Sequence, residues 1–157
     1  MEQAILIRPA RFDDFTHLAE LLRTLALRFI VPGMPAEATA TFLRENDADA
    51  LLAYRERGHV TTVAVVDGAV AGFLSLRPPS HVFHLFVDAA YHRRGVARAL
   101  WDSVRGGAAG FTVNASPYAV PVYLALGFAC DGPLACRNGV AFQPMRHGCQ
   151  PPCANSG

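Results

Sequence analysis

The sequence predicts a mixed α/β domain, with antiparallel hairpins early in the chain and a helical crossover in the middle. Three observations predict it. The 157 residues are 52% hydrophobic, enough to bury one sizeable core and little more. Two β-rich runs are joined by Asp67-Gly68, a strong signal for a two-residue hairpin turn. Between the later β-type runs, apolar residues recur at helical spacing, so strands and helices alternate there.

Taken in order, ILIRPA (5–10) alternates apolar residues and stops at a proline, as a first strand does. Phe15, Leu18, Leu21, Leu22 and Leu25 then fall on one helical stripe behind Asp13 and Asp14, acids that suit a helix N-terminus. VPGM (31–34) breaks that helix. From Pro35 to Arg57, the spacing of Phe42, Leu43, Leu51, Leu52 and Tyr54 predicts one or two more helices. The hairpin about Asp67-Gly68 follows, and after PPS (78–80) comes a third strand, HVFHLFV (81–87). From about residue 93 to 106, Val96, Leu100 and Val104 share a stripe, with Arg94, Arg98 and Arg105 away from it. GFTVNA (110–115) reads as a short strand, and a helix from about Val120 closes at Gly127. Two late β-type runs lie near 128–131 and 139–145. From His147 onward Pro, Gly, Ser and Asn predominate, giving a domain over 1–146 and a flexible tail over 147–157.

A net charge of +1 argues against nucleic acid or an anionic membrane as a global partner. No apolar stretch approaches the roughly 20 residues of a membrane span. The N-terminus lacks the basic and long apolar regions of a signal peptide, so the expected location is cytoplasmic. Cys130, Cys136, Cys149 and Cys153 all lie in the last quarter, unlike a disulfide framework that staples a whole domain. Cys149 and Cys153 with His147, or His81 and His84 with Cys130 and Cys136, lack the paired tight spacing of structural zinc, so no metal is expected.

The stretch FVDAAYHRRGVARAL (86–100) carries the functional signal: a strand, a basic loop, a glycine and a helix start. The first amides of a helix have no intrahelical acceptor and sit at the positive end of its dipole, so an anion is favoured there. Gly95 lets a phosphate approach the backbone, Ala97 keeps the next position small, and Arg93, Arg94 and Arg98 supply charge. The same residues also fit a solvated basic surface. The lysine and hydroxyl of a P-loop are absent after Gly95, which weighs against a nucleotide-dependent enzyme.

His92 to Ala97, HRRGVA, resembles the Arg/Gln-x-x-Gly-x-Gly/Ala signature of the GCN5-related N-acetyltransferase (GNAT) superfamily, with His92 in the usual Arg or Gln place. LFVDAAYHRRGVARAL resembles that family's fourth strand and following helix, FTVNASPYAVPVYLALGF its fifth strand and fourth helix, and GVAFQPM its last strand. The resemblance implies a single-domain fold with a twisted, mostly antiparallel sheet of about seven strands flanked by about four helices. It implies acetyl-CoA as cosubstrate and transfer of its acetyl group to a primary amine of a small molecule or peptide, in a monomer or homodimer. The pyrophosphate would lie on His92, Arg93, Arg94, Gly95, Val96, Ala97 and Arg98. The pantetheine arm would pair with the backbone of Leu85, Phe86 and Val87, where the fourth and fifth strands splay, and Asn114 and Ser116 would also face the coenzyme.

Tyr123 matches the family tyrosine that protonates the leaving thiolate. His81 and His84 are the candidate bases, with a relay through water as the alternative. On an unbulged strand His81, Phe83, Leu85 and Val87 share one face, and His84 and Phe86 the other. The acceptor pocket is expected from residues 30 to 57 and the last hairpin. A non-catalytic acyl-CoA sensor is the alternative reading.

Overall fold

Asp67 and Gly68 turn the chain with φ of 52° and 81°, the left-handed pair that a tight hairpin between twisted strands requires. In the computed structural model, which describes residues 4–148, this turn joins β2 (Val60–Val66) to β3 (Ala69–Arg77). β1 (Ile5–Pro9) pairs with β2, and β4 (His81–Val87) with β3, all antiparallel. β5 (Gly110–Ala115) lies parallel to β4. β8 (Val140–Gly148) closes the sheet beside β5, with the short β6 (Ala129–Cys130) and β7 (Ala135–Arg137) on β8. The strand order is β1-β2-β3-β4-β5-β8-β6, with β7 branching from β8.

Helices cover both faces. α1 (Phe15–Leu25), α2 (Ala36–Arg44) and α3 (Ala48–Glu56) precede the sheet's central strands; α4 (Val96–Val104) and α5 (Val120–Ala125) flank β5 in sequence. The α1 stripe of Phe15, Leu18, Leu22 and Leu25 buries against Leu51 of α3, Val63 of β2 and Phe73 of β3. On the other face Val96, Leu100 and Trp101 of α4 pack with Ala64, Leu74, Phe111 and Met145. The 3.6-residue periodicity read from the sequence therefore serves two cores, one on each side of a single sheet.

Several boundaries move. The segment from Pro35 to Arg57 forms two helices, separated where Asp47 caps α3 by accepting from the Ala50 amide at 2.9 Å. α4 starts at Val96, three residues later than read, because Arg93 and Gly95 both take positive φ (66° and 81°). β7 was not anticipated, although Asn138-Gly139, with φ of 54° and 80°, makes a second hairpin turn of the same kind. β8 continues through His147 and Gly148, which pair with Phe111 and Gly110, so the domain reaches two residues past the expected boundary. Cys149 and Cys153 lie outside the described residues.

The largest consequence comes from a register slip in β4. Ser75 pairs with His84 but Leu76 pairs with Val82, so Phe83 is a bulge. Val82 therefore joins Leu85 and Val87 in the α4-side core, while His84 joins Phe73 on the other side. The alternation expected for an unbulged strand fails at this point.

Candidate active site

β4 and β5 are joined only at their beginnings, through His81↔Thr112 and Val82↔Val113. Beyond Val82 the strands part, leaving one edge of β4 facing a gap. Which backbone groups face it follows from the β3–β4 register. The Asp88 amide donates to the Ala71 carbonyl at 2.8 Å, which makes Val87↔Gly72 a non-hydrogen-bonded pair. Leu85 and Val87 thus turn their N–H and C=O groups toward the gap, and Phe86 turns its own toward β3. Of the three backbones assigned to the coenzyme arm, that of Phe86 is spent on the sheet.

Past Val87 the chain makes a short turn (Ala89–Tyr91) and enters the basic loop. His92 Nε2 donates to the Val87 carbonyl at 2.7 Å, folding the loop back over the end of β4. The left-handed Arg93 and Gly95 then aim the chain so that the first helical bond of α4 is Ala99 N–H to Gly95 C=O, at 2.9 Å. The amides of Val96, Ala97 and Arg98 precede that bond and have no intrahelical acceptor. A side chain at Gly95 would meet nothing within 4 Å, so glycine is needed there for its φ rather than for room. Arg98 reaches across to the Ala125 carbonyl at the end of α5 (2.7 Å), and Arg94 lies over the Tyr91 ring at 5.8 Å. His92, Arg93, Gly95, Val96, Ala97 and Arg98 all line one cavity of about 810 Å³; Arg94 does not.

That cavity runs through the gap between β4 and β5. Leu85, Phe86 and Val87 line it from one strand, and Asn114, Ala115 and Ser116 from the other. Tyr123 of α5 also lines it, with only 5% of its surface exposed and its ring edge-on to Phe128 (5.3 Å). Burial pushes its phenol far above the usual range, so the hydroxyl is protonated at neutral pH. The Ser116 side chain makes no capping bond to the turn after it.

The histidines are placed differently from expectation. His81 is absent from the cavity wall; its Nδ1 is 2.8 Å from Thr112 Oγ1, and burial, with a smaller push from Arg77, lowers it to about 4. His84 reaches the cavity, but both its nitrogens are engaged. Asn46 donates its amide to the Phe42 carbonyl (2.9 Å), so Asn46 Oδ1 faces His84 Nε2 (2.8 Å) and can only accept. Nε2 therefore carries the proton, and Nδ1 accepts from Ser75 Oγ (2.8 Å). Burial drives His84 down to about 3. A neutral imidazole with both nitrogens bonded has no lone pair left for a substrate proton.

Away from the basic loop, the cavity is walled by Thr41, Phe42, Glu45, Asn46, Tyr54 and Phe83, and by Arg137, Asn138 and Phe142 of the last hairpin. These are the two segments expected to form the acceptor end; Phe42 and Tyr54 line the cavity and also pack against the α1-side core. Glu45 is the cavity's one carboxylate among the described residues, and no sequence signal singled it out. The Tyr54 hydroxyl donates to the Glu45 carbonyl at 2.8 Å. Burial first, then the Glu45 charge, raises the Tyr54 phenol. No group of three or more His, Cys, Asp or Glu suited to a metal occurs among the described residues, and no helix there is long and apolar enough to cross a membrane.

The sequence profile of the acetyltransferase (GNAT) domain matches residues 30–149. A solved structure from Rhodopseudomonas palustris, described as a GCN5-related N-acetyltransferase (aminotransferase, class II), superposes with a TM-score of 0.76 at 25% identity, covering 94% of this chain and 98% of that one. PaiA N-acetyltransferase from Thermoplasma acidophilum, in complex with coenzyme A, gives 0.74 at 16% identity over 92% and 99% of the two chains. YncA from Salmonella typhimurium, solved with its cofactor acetyl-CoA, gives 0.67 at 21% identity over 96% and 97%. No curated protein sequence matches significantly.

Proposed function

This chain belongs to the GNAT acetyltransferase family, and from that premise we propose that it transfers the acetyl group of acetyl-CoA to a primary amine, of a small molecule or a peptide, by direct attack in a ternary complex. The observation that carries the reading is the continuity of one cavity, from the unpaired amides of α4, along the open edge of β4, past Tyr123, to a chamber holding a single carboxylate. Two structural neighbours with coenzyme A or acetyl-CoA support the choice of cosubstrate.

In this reading the amides of Val96, Ala97 and Arg98, with Arg93, receive the pyrophosphate, where the α4 dipole and the guanidinium groups favour negative charge. The Leu85 N–H and C=O, turned to the gap, pair with an amide of the coenzyme arm as an added strand would. The acceptor arrives as an ammonium with a pKa of about 10.4 and must lose a proton to become a nucleophile. Glu45 takes the part first assigned to His81 or His84: it draws the ammonium in and passes its proton to solvent. The amine nitrogen bonds to the thioester carbonyl carbon, and the resulting oxyanion faces the Val87 N–H. Collapse breaks the carbon–sulfur bond, and Tyr123 gives its proton to the departing thiolate. The attacking nitrogen loses its remaining excess proton, which restores the phenol. A buried phenol is a weak acid, but a thiolate formed in the same apolar surroundings is correspondingly more basic. Asn114 and Ser116 flank the coenzyme from β5, and Arg94 adds charge at the rim.

Calorimetric titration with CoA, followed by free-thiol release from acetyl-CoA over a panel of amines, tests the reading. We expect CoA binding, thiol release with at least one amine, and a fall in kcat of about 10² or more for Tyr123→Phe with CoA affinity retained. CoA binding without turnover of any amine would favour a non-catalytic acyl-CoA sensor, and the absence of CoA binding would remove both readings.

A further inference from the structure

We propose that His84 is a positioning residue that clamps the turn between α2 and α3 onto the sheet, and so sets where Glu45 and Tyr54 stand at the acceptor end of the cavity. The inference rests on the reading of that end as the amine site, but the clamp itself is a matter of geometry. A continuous chain of hydrogen bonds runs from β3 to α2: Ser75 Oγ to His84 Nδ1 (2.8 Å), His84 Nε2 to Asn46 Oδ1 (2.8 Å), and Asn46 Nδ2 to the Phe42 carbonyl (2.9 Å). Each link fixes the direction of the next, because a carbonyl only accepts and an amide NH₂ only donates. Among the described residues, His84–Asn46 is the one side-chain hydrogen bond between this turn and the sheet.

Two features make the clamp specific. His84 pairs directly with Ser75 in β3 and so shares its face. Asn46 adjoins Glu45, whose carbonyl is held by the Tyr54 hydroxyl, so moving Asn46 moves Glu45 and Tyr54 together at the cavity wall. His84 is 6% exposed and ringed by Tyr54, Phe73, Phe83 and Phe86 at 4.6–6.1 Å between ring centroids. Of the groups around it, Tyr54 titrates far above neutrality, and the His59 charge lowers His84 less than burial does. Losing the imidazole leaves the buried Ser75 Oγ without its partner and releases Asn46 Oδ1 at the cavity wall.

The test uses the full chain and needs no acceptor. A long-range ¹H–¹⁵N spectrum of the histidine rings is expected to show His84 as the Nε2–H tautomer, unchanged between pH 8 and pH 5. In His84→Leu, amide hydrogen exchange over residues 42–50 is expected to accelerate about tenfold or more relative to α4, with CoA affinity unchanged. His84→Gln, whose amide can donate to Asn46 and accept from Ser75, is expected to recover most of that protection. An Nδ1–H tautomer, or titration of the ring between pH 8 and pH 5, would overturn the proposal in favour of a base. Exchange that rises uniformly across the chain, equally in both variants, would reduce His84 to an ordinary core residue. Loss of CoA binding by the wild-type protein would instead strike at the acetyl-transfer reading and leave the clamp to be judged by exchange and tautomer alone.

Discussion

Replacing His84 with glutamine should flatten the acid dependence of stability, by an amount the structure lets one calculate. Burial holds the His84 imidazole at about 3 in the folded chain, against an unfolded value of about 6.5. As pH falls below the unfolded value, the unfolded chain takes up a proton that the native chain refuses. Stability is therefore complete above that value and is lost progressively as pH falls toward the folded one. Between pH 8 and pH 5 the loss from this one group is about 1.5 pH units at 1.36 kcal/mol each, or about 2 kcal/mol. His81, held at about 4 by burial and by Arg77, acts in the same direction in both proteins. The wild-type protein should thus lose about 2 kcal/mol more than His84→Gln. Other titrating groups contribute alike to both proteins and cancel in the difference. Urea unfolding at pH 8 and pH 5, extrapolated linearly to water, reads the two slopes. A difference in pH dependence below about 0.5 kcal/mol would show that His84 is solvated or charged in the native state, and the argument for its enclosure would fail.

Three further substitutions separate backbone demands from packing. Gly95→Val places a β-branched residue at φ 81° with no steric obstacle within 4 Å; strain of about 1–3 kcal/mol should misdirect the α4 amides and weaken CoA binding about tenfold or more by calorimetry. Gly72→Ala sets a Cβ 2.7 Å from the Phe86 carbonyl, a backbone atom with nowhere to go, so β3 and β4 must separate and thermal denaturation should show a loss of about 2 kcal/mol or more. Trp101→Ala empties the centre of the α4-side core, where the indole meets Phe111 edge-on at 4.9 Å; urea unfolding should report a loss of about 3–5 kcal/mol.

How much of this was legible in the sequence depends on whether a feature is written in residue type or in register. Asp67-Gly68, the α1 stripe and Gly95 carry local chemistry that only a few conformations satisfy, and the hairpin, helix and loop were read from them. Asn138-Gly139 carried the same signal and was passed over, since the residues before it (Ala135–Arg137) are too few and too polar to read as a strand. The cavity-lining role of residues 30–57 was legible only as a segment. Glu45 stands out because of what it faces, and a solvent-facing glutamate near a helix end looks the same in sequence wherever it points. The Phe83 bulge leaves no local mark: HVFHLFV reads as one unbroken β-type run, yet one extra residue moves His81 away from Leu85 and Val87.

The bulge takes His81 off the face of Leu85 and Val87, and the bonds of His84 leave it no free nitrogen, so neither histidine of β4 suits the base. At the root of the gap, His81 Nδ1 meets Thr112 Oγ1 at 2.8 Å, beside the Thr112 amide, which donates to the Ser80 carbonyl at 3.2 Å. At the far end, His92 Nε2 holds the Val87 carbonyl at 2.7 Å, and between them His84 ties β3 to the α2–α3 turn. These three imidazoles near this strand are thus committed to holding elements in place: the closed end of the splay, the α2–α3 turn at the cavity wall and the return of the basic loop. A strand that must expose its own edge to a ligand forgoes the hydrogen bonds a neighbouring strand would supply. Side-chain bonds of this kind are the available replacement, and an imidazole can supply one from either ring nitrogen. On this reading proton removal falls to the carboxylate that faces the cavity, and turnover should depend on Glu45 rather than on any histidine of β4. A kcat for Glu45→Gln equal to that of the wild type would refute that division of labour.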